Sequence, residues 1–451
     1  MSFRLLLYSS PLDPPGSFES NIINSMSIIN RVRKIFRAQG YLFLIISLFA
    51  IGAFLRLYNF QNRLIFGPEQ GMSFIVTASN LEKFSLLGET NLIRATSAGH
   101  IPFHGAMYNY LLLPFLLIFN FKVLPVTILF AVLNLVTAFI LFKVANKIFG
   151  KTIAALSLFF FLFSDVMIHH SLFAWVVNPT PLLGVLTLWF IYKQIKNRNS
   201  FYPVLWVGIM SGFGFGLQSF YILFAGILFL LTIIISKKKL FTAFIFLFGV
   251  MLGSLPTVIF DIRHDFYHLR TFAQYFYEVA IGTASGTSTY YNYLFLYPYL
   301  FLLYAFISKI FYKIKKPLIL IPLIIFLYGS LNSPFINLHQ SVGMAPGITL
   351  KSLESAAFII NKDNPPQRFN VATLWDFDTR ANPLRYILSF NYHKKPQAVE
   401  EYKNIDALYV FAPEDYDMKI PRVWELQIFM PYKITDLSLP VPGYRLYKLT
   451  K

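Results

Sequence analysis

The chain has 451 residues, of which 56% are hydrophobic and only 13% charged, against roughly 25% charged in an ordinary soluble domain. A soluble core does not absorb that much apolar sequence, and the formal charge of +18 sits in small clusters between apolar runs instead of on one face or in one domain, which excludes a nucleic-acid reading. The lack of any cysteine excludes a disulfide framework, a thiolate metal site and a thiol nucleophile.

Residues 1–25 are polar and Pro-containing, without periodicity, and are expected to be disordered or to precede the true start at Met26. The basic residues Arg31, Arg33, Lys34 and Arg37 then lead into an apolar run at 41–57. This is the layout of a signal peptide, but no small-residue cleavage site follows, so the run reads as an uncleaved anchor. Further apolar runs occupy 123–142, 150–164, 179–193, 201–217, 219–236, 240–260, 290–312 and 317–331. A helix needs about 20 apolar residues to cross a bilayer, and the nine runs are read as nine spans. A shorter run at 106–119 contains Pro114 and reads as a re-entrant or interfacial segment.

Charge parity supports that count, because Lys and Arg beside helix ends mark the cytoplasmic face. With the N-terminus inside, seventeen basic residues fall on the inner side and seven in the outer loops. Between residues 20 and 333 the acids are Glu69, Glu82, Glu89, Asp165, Asp261, Asp265 and Glu278, all in outer loops, so carboxylate chemistry faces outward. From 333 the composition becomes that of a soluble domain. Leu350, Leu353, Ala357 and Ile360 line one helix face, and 369–374, 407–411 and 444–449 read as strands. The expected fold is therefore a polytopic α-helical membrane protein of nine transmembrane helices with a small C-terminal α/β extracytoplasmic domain. Its parts are a cytoplasmic segment 1–40, a transmembrane domain 41–332 with a large first outside loop 58–122, and an outer domain 333–451.

In the first loop, Phe66-Gly67-Pro68-Glu69-Gln70-Gly71 sets Gly and Pro around a single carboxylate. They head a segment where Met72, Ile75, Ala78, Leu81 and Phe84 recur at helical spacing. Glu69 is either presented for chemistry at the membrane surface or is a helix-start acid complementing the macrodipole, with equal weight on the residues alone. Glu82 and Glu89, further along, read as solvated loop acids.

An anchor helix ending Gly52-Ala53-Phe54-Leu55-Arg56-Leu57-Tyr58, an acid a dozen residues later, and then Thr96-Ser97-Ala98-Gly99-His100 resemble the start of the type C glycosyltransferases. That is the superfamily of dolichyl-phosphate-mannose mannosyltransferases and aminoarabinose transferases. The segment from Phe103 and His104 to Pro114 is similar to the one preceding that superfamily's second span. The resemblance implies that Glu69 is the general base or the carboxylate that orients the acceptor. Many members carry an acidic pair where this chain has Gln70, which weakens the inference of a divalent metal held there. No cofactor is expected, and the sequence supports no metal site.

The second outside loop, with Trp175 and Asn178-Pro179, resembles a Trp-Asn-Pro element of bacterial members. Asn178 is a candidate for orienting substrate hydroxyls, although Asn before Pro is also an ordinary helix start. The adjacent His169 and His170 point about 100° apart on a helix and read as solvated interfacial histidines. After the seventh run, Phe260-Asp261-Ile262-Arg263-His264-Asp265 resembles a later loop of the catalytic face. There Asp261, Arg263 and His264 are substrate-binding candidates. Arg263 offers a fork for a phosphate, against the alternative of a headgroup-snorkelling cation. Gln218 occupies a position where relatives have Gln followed by His, here replaced by Phe220.

The resemblance implies transfer of a sugar from a polyprenyl-phosphate donor to a lipid, glycan or protein acceptor outside the plasma membrane, with inversion. Glu69 would act as base, and Arg263 with Arg56 would stabilise the leaving lipid phosphate. Membrane lipids surround the site, no nucleic acid is involved, and no Gly-rich nucleotide loop is present. The rivals are a lipid-linked glycan polymerase or ligase and a transporter. Transport calls for polar groups near the midplane, whereas every acid here sits at the outer edge.

Overall fold

The computed structural model describes residues 39–90, 96–283, 289–376, 378–438 and 441–451. Expectations for residues 1–38, including the basic cluster at 31–37, fall outside them. The chain divides into two compact units, Met1–Ile51 and Gly52–Lys451, and all contacts described below lie within the second.

Every one of the nine apolar runs is helical. Among the described residues, three helices are long and apolar enough to cross a bilayer: Gln39–Leu57, Val123–Phe149 and Tyr290–Ile314. A fourth is added if the pair Lys239–Gly253 and Leu255–Arg263, bent by 84°, is one span. The expectation of nine full-length spans is not met by that measure, for a local reason. Gly150, at φ 86°, breaks the backbone after Phe149, and the 13-residue helix Lys151–Phe163 that follows rises only about 20 Å. At the seventh run the chain turns at Ser254, and residues 255–260, counted in the span from sequence, depart from its axis. The short run at 106–119 is the 12-residue helix Met107–Ile118 with Pro114 inside.

Glycine sets the tightest helix pair. A Cβ at Gly212 would stand 2.1 Å from the Val250 carbonyl oxygen and one at Gly253 2.1 Å from that of Ile209, so Tyr202–Leu217 and Lys239–Gly253 meet backbone to backbone. Small residues at such crossings are the usual means of close packing between apolar helices.

In the first loop, β1 (Leu87–Thr90) pairs antiparallel with β2 (Phe103–Gly105). The C-terminal part holds a four-stranded mixed sheet. β3 (Phe369–Thr373) lies parallel to β4 (Ala407–Pro413), β5 (Lys433–Asp436) lies antiparallel to β6 (Tyr444–Thr450), and β6 runs antiparallel to β4, in the order β3-β4-β6-β5. The three strands read from sequence are β3, β4 and β6. β5 escaped because it is an edge strand of four exposed residues with no apolar alternation to betray it. The expected amphipathic helix is Leu350–Lys362, with Leu350, Leu353, Ala357 and Ile360 all buried.

This sheet domain rests on the first loop. Tyr386, on helix Asn382–Asn391, packs edge-on against Phe66 and Phe74 and donates to the Phe121 carbonyl at 2.8 Å. A Cβ at Gly71 would fall 2.5 Å from the Pro383 nitrogen, so the helix carrying Glu69 touches the domain without room for a side chain.

Candidate active site

Helix Pro68–Ser79 starts where the sequence requires. Pro68 takes the first helical position, where its missing N–H costs nothing. Gln70 reaches back so that its Oε1 accepts the Gly67 N–H at 3.0 Å. Gln70 therefore closes the helix start. Glu69 follows Pro68, half-buried, and makes no side-chain hydrogen bond or ion pair among the described residues. Burial raises its carboxyl above the ordinary range, its own backbone N–H opposes this, and Asp376 and Asp378 of the C-terminal domain raise it further.

A second carboxyl stands beside it. In β1, alternate side chains face inward, which buries Leu87 and Glu89 together. Glu89 is only 7% exposed, and burial first, then the charge of Glu69, push its carboxyl up to about 8. Its reading as a solvated loop acid is thus corrected: the hairpin folds it under the helix. Ser73, from that helix, and Tyr108, from helix Met107–Ile118, lie against Glu89 and are themselves buried. Ser73 favours the ionised form of both neighbours. Even so, Ser73 Oγ, Glu89 Oε1 and Tyr108 Oη, all shut from solvent, meet no hydrogen-bond geometry. Next to Tyr108, Asn109 Oδ1 accepts from Thr77 at 3.1 Å, while its Nδ2 is also unpartnered.

The other seven candidates are scattered and, among the described residues, none shares a hydrogen bond, ion pair or ring contact with Glu69. Arg56 is fully buried, giving its guanidinium protons to Asn134 Oδ1 at 2.8 Å and to the carbonyls of Gly52, Leu162 and Phe161. It ties helices together and is closed to a lipid phosphate, contrary to expectation. Asn178 donates to the His170 and Phe173 carbonyls and accepts from His170 Nδ1 at 2.8 Å, so its amide holds its own loop. His169 and His170 are buried, against rings that include Phe335 and Tyr290. Their reading as solvated histidines is corrected.

Asp261 accepts the backbone N–H groups of His268 and Leu269 at 2.7 and 3.1 Å and so opens helix Tyr267–Ala280. Gln218 is buried and donates to Asn292 at 2.8 Å. His104 is enclosed between β2 and the Leu217 backbone, with burial driving its imidazole down to about 4, and it is neutral at physiological pH. Arg263 and His264 are exposed at the end of Leu255–Arg263. His264 stacks on Phe260, and Arg263 makes no side-chain hydrogen bond or ion pair among the described residues. No group of three or more His, Cys, Asp or Glu able to hold a metal occurs among them.

The helical bundle thus carries a first-loop acid beside a C-terminal mixed-sheet domain. Residues 103–260 match the family described as dolichyl-phosphate-mannose-protein mannosyltransferase. The apo structure of ArnT from Cupriavidus metallidurans is similar over 91% of this chain and 98% of that one, at 11% identity and a TM-score of 0.50. The same protein bound to undecaprenyl phosphate gives 0.47 at 11% identity over the same shares. The apo oligosaccharyltransferase of Archaeoglobus fulgidus gives 0.49 at 9% identity, over 89% of this chain and 74% of that one. No curated protein matches the chain.

Proposed function

We propose that this protein is a plasma-membrane glycosyltransferase that moves a sugar from a polyprenyl-phosphate donor to an extracytoplasmic lipid, glycan or protein acceptor, with inversion. The observation that carries the reading is Glu69, a half-buried carboxylate near other acids that makes no ion pair among the described residues. A purely structural acid in such a place would normally be paired. A general base needs the opposite: a raised pKa and a free lone pair aimed at an incoming hydroxyl. In the reaction the acceptor oxygen bonds to the anomeric carbon, the bond from that carbon to the phosphate oxygen breaks with its electron pair leaving on the lipid phosphate, and Glu69 takes the acceptor's proton. Arg263, exposed and forked, is assigned to the donor phosphate. The relative bound to undecaprenyl phosphate is in keeping with that donor class.

Cells expressing the protein, Glu69→Gln, Glu82→Gln or neither are compared by mass spectrometry of envelope glycans and polyprenyl-phosphate sugars. Loss of a general base costs about 10²- to 10⁴-fold in rate, so Glu69→Gln abolishes the product while accumulating at wild-type level. Glu82 is an exposed acid paired with Lys395 at 3.2 Å, and Glu82→Gln retains the product. Near-normal product from Glu69→Gln would return Glu69 to the role of a helix-start residue.

A further inference from the structure

We propose that Glu89 is a second carboxyl of the site that holds a proton within the buried cluster of Ser73 and Tyr108, leaving Glu69 as the ionised partner of the pair. The inference rests on the reading of Glu69 as base, but its test does not. Three facts converge on it. Glu89 is buried, its Oε1 is unpartnered, and the two hydroxyls nearest it are unpartnered as well. An ionised carboxylate shut from water would draw N–H or O–H donors onto both oxygens. A carboxylic acid in the same space has one O–H of its own to give and needs no counter-charge.

Among the described residues, the elements packed against Glu89 supply no such charge. From helix Pro68–Ser79 the facing ionisable group is Glu69, and from Met107–Ile118 it is Tyr108, since Tyr110 is turned away to donate to the Ser85 carbonyl. On β2, His104 faces Leu217 and His268. On Leu255–Arg263, Asp261 is taken up by backbone amides and Arg263 lies exposed at the far end. Beyond Glu69, Asp376 and Asp378 raise its carboxyl further, Asp378 being itself paired with Arg380 at 2.8 Å. Two carboxylates in mutual reach without a cation do not both ionise easily, and the more deeply buried of the two keeps the proton. Glu89 is then a positioning residue: neutral, it lets Glu69 carry the single negative charge that accepts a proton, and it adds no repulsion against an anionic donor phosphate.

Infrared difference spectroscopy on the purified, substrate-free protein tests this directly. At neutral pH the wild type should show the carbonyl stretch of a protonated carboxylic acid that Glu89→Gln lacks, and that band should titrate away with a midpoint near 8. In Glu69→Gln, which removes the like charge, the band should persist at neutral pH and its midpoint should move down. Spectra of wild type and Glu89→Gln that do not differ at neutral pH would overturn the proposal. So would a midpoint indifferent to Glu69→Gln, because Glu89 would then be protonated through burial alone. Neither outcome touches the transfer assay, which judges Glu69 separately.

Discussion

His170 gives its Nδ1 proton to Asn178 Oδ1, because that amide spends both of its own donors' capacity on carbonyls. Its other nitrogen, Nε2, is buried without a partner. Charging the ring would place a second proton there with nothing to receive it, and burial accordingly takes the imidazole down to about 3. The unfolded chain binds that proton near the ordinary value of about 6.5. Between about 6.5 and 3 the folded state therefore holds fewer protons, and stability falls as pH drops through the window. His170→Leu should lose about 1 kcal/mol at neutral pH with the broken hydrogen bond yet show a shallower decline in melting temperature on acidification. Equal slopes for the two proteins would place the acid sensitivity elsewhere, His104 and His169 being the next groups driven down by burial.

The same kind of residue-level detail explains what the sequence concealed. The helix start that places Glu69 was legible because Gly67 and Pro68 announce a turn before a periodic helix. Glu89 was not, because its burial depends on β1 meeting β2 across a loop, and four residues of alternation in Leu87-Gly88-Glu89-Thr90 are too few to distinguish a half-buried strand from a loop. An Arg closing an apolar run, as Arg56 does, has two uses that look alike in sequence: snorkelling outward to phosphate, or turning inward to carbonyls as it does here.

At the scale of elements, the contact that places the site is helix Pro68–Ser79 against Asn382–Asn391. Gly71 sits at their crossing, and its substitution separates two effects of opposite sign. In an isolated helix Gly71→Ala would stabilise by about 1 kcal/mol. In this protein the new methyl would meet the Pro383 nitrogen at 2.5 Å and the Asn382 carbonyl carbon at 2.7 Å, backbone atoms that yield only if the helix or the domain shifts. The variant is expected to melt lower than wild type and to release the sheet domain faster to a protease. It should also lose transfer, because Asp376 and Asp378 approach Glu69 from that domain. A rise in melting temperature would mean that the two elements are not held in contact. Periodicity located the first of these helices and not the second, and nothing along the chain joins residue 71 to residue 383, so the docking was beyond local pattern. The glycines at 208, 212, 249 and 253 were equally silent, since a glycine's meaning lies in the neighbour it admits.

For the molecule as a whole, that docking constrains how the chain is threaded. Residues 71 and 383 are in contact, so they lie on the same side of the membrane, and the number of crossings between them is even. Among the described residues of this interval, Val123–Phe149 and Tyr290–Ile314 meet the length of a full span, and the bent pair would make three, an odd number that docking forbids unless a shorter helix also crosses. Counting every apolar run after the first loop gives eight, an even number. Admitting Met107–Ile118 as a further span would give nine, and docking would fail. Shorter helices cross where the bilayer thins or flanking residues snorkel, at modest cost per ångström. The even count places residues 71 and 383 on one side without saying which; the expectation that this side is the outer one rests on the charge bias of seventeen to seven. Because the chain has no cysteine, single introduced thiols can map it without background. Lys395→Cys, beside Glu82, should react with a membrane-impermeant maleimide added to intact cells, and Lys238→Cys, before helix Lys239–Gly253, should react only after the membrane is opened. Labelling of Lys238→Cys from outside, or protection of Lys395→Cys, would break the parity argument. The chain would then have to be rethreaded with a different set of short helices in the bilayer.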